Sequence, residues 1–164
     1  MSPKNNKSMT ELSNQDKKLL DDVKNYGWHV IKVMADETGP GFGYSVGFFK
    51  TFGHPEVIII GLNLDFMHSI INGIGENLRE GKSYRAGEFY SVLIEGYDCY
   101  LVTVDVKYYH EYVGYDRWFY SGNNFPLIQC IYPTKRNVYP WQSGWPEEIS
   151  SLQPILAEEG LTFP

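Results

Sequence analysis

Four consecutive β-branched residues, Val57-Ile58-Ile59-Ile60, constrain this chain more than any other feature. Branching at Cβ favours extended backbone, and an unbroken apolar run has no face to give to water. The run therefore predicts a strand buried on both sides. A second apolar run, Phe42–Phe49, precedes it. A short loop carrying Gly53, His54, Pro55 and Glu56 joins the two. Gly47 interrupts the first run, and glycine inside a strand predicts a bulge or a close backbone approach.

Two helices are predicted around these strands. Leu12, Leu19, Leu20, Val23 and Tyr26 recur at helical spacing, with Ser13 placed as N-cap and Gly27 placed to end the helix. The second runs from about Leu64 to Glu80 behind Asn63, with Met67, Ile70, Ile71, Ile74 and Leu78 on one stripe. Further strands are expected over Trp28–Ala35, Glu88–Glu95, Cys99–Tyr108 and Phe125–Tyr132. The aromatic segment Tyr109–Tyr120 reads as a short helix, and the Pro-, Gly- and Trp-rich tail from Pro133 as an irregular wrap. The prediction is an α+β domain with a mainly antiparallel, strongly curved sheet or small barrel and two packed helices. Residues 1–12 are assigned to a flexible N-terminus and residues 13–164 to one globular domain.

Composition narrows the function classes. Of the 164 residues, 43% are hydrophobic and 21% charged, as in a folded domain. The formal net charge of −6 argues against a general nucleic-acid binder and permits a basic partner. No apolar run reaches membrane-spanning length, and the polar N-terminus lacks a secretory signal, so the cytoplasm is the expected location. Cys99 and Cys130 each sit in an apolar run and are expected to be buried, reduced thiols.

The order of several short elements resembles the bacterial domain of unknown function numbered four-two-six-two. These are Gly27-Trp28-His29, Tyr44-Ser45-Val46-Gly47, Gly53-His54-Pro55-Glu56 and Gly61-Leu62. Gln129, Tyr132-Pro133, Pro140-Trp141, Gly144 and Gln153-Pro154 follow, so the resemblance runs from about residue 20 to 156. It implies a compact bacterial domain and little chemistry. Thr134 stands where the family tends to carry an acidic residue, and Ser45 where it tends to carry threonine. The strand–loop–strand–helix order from Tyr44 to Asn63 is also similar, more loosely, to flavin-reductase-like split barrels. That similarity implies FMN as a cofactor, with Lys50 the one obvious cation for its phosphate.

Candidate chemistry is sparse. His29, Tyr44, Ser45, His54 and Glu56 form a possible pocket set, with His54 and Glu56 flanking Pro55 as a potential acid–base pair. The plainer reading is a turn in which His54 bonds locally and Glu56 is solvated. No metal-ligand spacing, nucleophile elbow or phosphate loop is present, so no catalytic residue is assigned. Tyr112, Tyr115 and Trp118 recur at three-residue spacing, with Glu111 and Asp116 beside them. Rings that anchor and carboxylates that steer suit a basic protein. The leading expectation is a small protein-binding domain, most concretely an immunity- or antitoxin-like protein that occludes a toxin. A flavin- or nucleotide-binding redox protein is the alternative.

Overall fold

The computed structural model describes residues 12–164. The expected flexible N-terminus therefore lies outside the described residues, except Leu12, which is buried in the core. The first helix, α1, spans Asn14–Tyr26. Ser13 and Asp16 close a reciprocal capping box at its start, satisfying two otherwise orphaned amides. Gly27 ends it in the left-handed conformation.

Strands β1 (His29–Val33) and β2 (Phe42–Val46) then pair antiparallel. A short helix α2 (Phe48–Phe52) follows, then β3 (Glu56–Ile60), α3 (Leu64–Arg79), and the hairpin strands β4 (Phe89–Ile94) and β5 (Tyr97–Thr103). Two short helices, α4 (Tyr109–Tyr112) and α5 (Gly114–Phe119), lead into β6 (Leu127–Ile131).

The fold is α+β. Its six strands are ordered β1-β2-β3-β6-β5-β4, and the central pair β3–β6 is parallel. This corrects two expectations. The sheet is mixed rather than mainly antiparallel, and it stays open, with β1 and β4 as its edges. A parallel centre follows from the long excursion between β3 and β6, which returns the chain on the same heading.

The β-branched run does what its composition demands. Val57 and Ile59 pack beneath Met67, Ile71 and Ile74 of α3. Ile58 and Ile60 face the opposite layer, built from Leu19 and Val23 of α1 and from Tyr109, Tyr115 and Trp118. Helices thus cover both faces of the sheet. Gly75 lets α3 settle on Trp28: a Cβ there would lie 2.5 Å from the indole ring.

The run Phe42–Phe49 is not one strand. Gly47, at φ 117°, turns the chain out of β2 and into α2. A Cβ on Gly47 would lie 2.7 Å from the Gly27 carbonyl oxygen, so the expected close backbone approach is present without a bulge. Beyond β6 the tail wraps over the domain, fastened by two buried glutamines. Gln129 donates to the Pro154 carbonyl and accepts from the Leu156 amide. Gln153 exchanges two bonds with the backbone of Tyr132, whose hydroxyl donates to the Ile60 carbonyl. Cys99 and Cys130 are buried free thiols, and the Cys99 contact and burial push the Cys130 thiol well up.

Candidate functional site

The five residues of the sequence-predicted pocket do not share one pocket. Ser45 and Glu56 meet at the turn into α2. There the Glu56 carboxylate is fully buried and accepts five hydrogen bonds. Three come from the amides of Gly47, Phe48 and Phe49 at 3.0, 3.0 and 3.2 Å. The fourth comes from the Ser45 hydroxyl at 2.7 Å, and the fifth from the Tyr120 hydroxyl. Both hydroxyls also accept from a backbone amide, Val57 onto Ser45 and Lys50 onto Tyr120, which commits their own protons to Glu56. Burial raises the Glu56 pKa above its ordinary value, and the bonds from Tyr120, Ser45 and the amides only partly oppose that push. Five donors and no acceptor are what an ionised carboxylate satisfies. Glu56 is therefore not a solvated turn residue; it organises the start of α2.

His54 bonds locally, as the plainer sequence reading expects. Its Nδ1 faces the Pro55 carbonyl at 2.8 Å, and its Nε2 lies 3.1 Å from the Tyr84 backbone. Both ring nitrogens are occupied and burial holds its pKa down, so His54 ties the loop to Tyr84. Tyr44 accepts from the Tyr115 amide at 3.1 Å in the opposite layer.

The row Tyr112, Tyr115 and Trp118 does not form one exposed face. The chain breaks at Val113, between α4 and α5. Tyr115 and Trp118 are buried in the α1-side core, and Asp116 is sealed completely. Only Glu111 and the half-buried Tyr112 reach the surface. Neither Asp116 carboxyl oxygen has a hydrogen-bond partner among the described residues. Burial, and then the Glu56 charge, push its pKa well above the usual carboxylate range, which favours the protonated form of Asp116.

His29 lies elsewhere, at the β1 edge of the sheet. Its Nδ1 is 2.7 Å from Oδ2 of Asp22 on α1. Burial opposes charge on Asp22, but the bonds from His29 and Lys18 outweigh it and hold the carboxyl low. The pair lines a cleft of about 890 Å³ between α1 and α3, together with Lys32, His68, Asn72 and Arg79. Neither Asp22 nor Asn72 is among the candidate residues of the sequence. The signal for Asp22 was its four-residue offset from Lys18 on the polar face of α1.

A second concave region lies at the β1–β2 turn. Two grooves of about 470 and 610 Å³ share Asp36, Thr38, Gly39, Pro40 and Tyr112. Glu37, Glu111 and Glu148 add carboxylates to Asp36, and Lys32 at one end is the cation of the lining. Met34 is 74% exposed beside them. Lys50, the cation considered for a flavin phosphate, sits in a shallow hollow with Phe49, Phe119, Tyr120 and Ser121. Among the described residues there is no group of three or more His, Cys, Asp or Glu placed to hold a metal ion. None of the described helices is long and apolar enough to cross a membrane.

Residues 22–146 match the family model described as Domain of unknown function (DUF4262), and the chain belongs to that family. No curated protein and no solved structure matches the chain. The residues that carry the family resemblance mostly hold the fold. Gly27 and Gly47 make left-handed turns, Glu56 caps α2, and Gln129 and Gln153 fasten the tail. Thr134, where the family tends to be acidic, accepts from the amides of Arg136 and Val138 in a surface turn.

Proposed function

We propose that this chain is a protein-binding domain whose partner is basic, most concretely a toxin that it occludes in the manner of an immunity protein. The observation that supports this reading is the groove pair at the β1–β2 turn. Four carboxylates, Asp36, Glu37, Glu111 and Glu148, surround the half-buried ring of Tyr112 and the exposed Met34. Carboxylates at a rim steer a cationic partner, while a ring and a flexible thioether supply adaptable apolar contact. The reading moves the recognition surface away from Tyr115, Asp116 and Trp118, which are buried, and keeps Glu111 and Tyr112.

The test is capture of partners from cell extract by wild type and by a Glu111→Lys/Glu148→Lys double variant. Both positions are exposed, so the fold should survive. The expected result is a basic protein held by wild type, associating more slowly as salt rises, and lost by the double variant. Equal capture by both proteins, or a partner with no basic surface, overturns the reading.

A further inference from the structure

The cleft between α1 and α3 differs from the rest of the molecule in charge and in hydrogen-bonding character. The chain carries a formal charge of −6, yet the cleft holds Lys18, Lys32 and Arg79 against Asp22 and Glu76. We propose that this cleft is a binding site for a small organic molecule bearing a phosphate or carboxylate group, with His29 as the central contact.

The argument begins at Asp22. Its carboxyl is held ionised, so the 2.7 Å contact fixes His29 with Nδ1 donating to Asp22. That leaves Nε2 of His29 without a protein partner among the described residues, on a ring that lines the cleft. With an N–H on each ring nitrogen, His29 can bridge Asp22 and an anion placed at Nε2.

Neighbouring groups are donors as well. The Asn72 side-chain oxygen accepts from the Trp28 indole at 2.9 Å, which leaves its amide N–H groups unpaired among the described residues. Among the described residues Lys32 pairs with Asp65 at 3.5 Å, and Asp65 is 91% exposed, so the pair is weak. Burial, and then the charges of Lys32 and His29, lower the pKa of His68. These groups converge from β1 and α3, and the Nε2 of His29 and the amide N–H groups of Asn72 have no acceptor among the described residues. The volume exceeds what an inorganic ion needs and falls in the range of small-molecule sites. Tyr26, 66% exposed at the rim, offers a ring face to the organic portion.

This inference does not rest on the acidic grooves, and its test leaves Asp36, Glu37, Glu111 and Glu148 intact. Amide and histidine side-chain NMR signals of the full chain would be followed on adding inorganic phosphate, adenosine monophosphate or succinate. The expected result is saturable shifts at His29, His68 and Asn72 with at least one probe, half-maximal at about 1 mM or below. The probe that saturates distinguishes phosphate from carboxylate recognition. His29→Gln and His68→Gln, each verified as folded by its amide spectrum, should weaken that binding about tenfold or more. The proposal is overturned by shifts that stay linear for all three probes, by saturation mapping outside the cleft, or by both variants binding within twofold of wild type.

Discussion

The turn into α2 and the helix α5 each bury a carboxylate, and they treat it in opposite ways. Glu56 is surrounded by five donors; Asp116 has none among the described residues. The two groups are close enough that the Glu56 charge raises the Asp116 pKa. One site stabilises an anion by hydrogen bonding, and the other offers an anion no donor. Burial alone therefore does not say what a carboxylate is doing; the donor count does.

The largest effect expected from this contrast comes from Glu56→Ala. It would leave three amides and two hydroxyls without their acceptor and should cost about 4 kcal/mol or more in urea unfolding. A loss below about 1 kcal/mol would show that water replaces the carboxylate and that Glu56 does not organise the turn. Tyr120→Phe removes one donor to Glu56 and one acceptor for the Lys50 amide. It should cost about 2 kcal/mol, the scale of a hydrogen bond to a charged group.

Asp116→Asn should act with the opposite sign. A carboxyl whose folded-state pKa lies above its unfolded value costs nothing at a pH below the unfolded value. It then destabilises progressively as pH rises through the folded value. The variant should therefore be more stable than wild type at pH 8, by on the order of 1 kcal/mol or more. The gain should shrink towards pH 4.5. Paired urea melts at the two pH values measure it, and a gain that does not grow with pH would mean that Asp116 is held as an anion after all.

How far the sequence foretold these two sites depends on the range of the interactions involved. Strand β3, the Ser13 cap, the Asn63 side chain that accepts from the Asp65 and Phe66 amides, and the stripe of α3 were legible because their signals are local: β-branching, an N-cap, a 3.6-residue period. Helix α2 was not. Phe48-Phe49 continues an apolar run, and what ends the strand is the left-handed Gly47 together with a carboxylate nine residues further along. Tyr115 and Trp118 kept the spacing of a helical face, but the break at Val113 and the core beneath them decided their burial. The pairing of His29 with Asp22 needed the reversal at Gly27, which folds β1 back beside the last turns of α1.

The parallel pairing at the centre of the sheet has a kinetic consequence. Ile58 pairs with Gln129, about seventy residues away, while β1–β2–β3 and β4–β5 are joined by shorter connections. Closing so long a loop is entropically slow, so the two partial sheets can form well before they meet. Until they do, β3 and β6 are apolar edges, open to pairing with other chains. During synthesis that exposure lasts at least until residue 131 has emerged. This domain is thus at its most aggregation-prone while it is being made, and a chain cut before β6 would keep the exposed edge permanently.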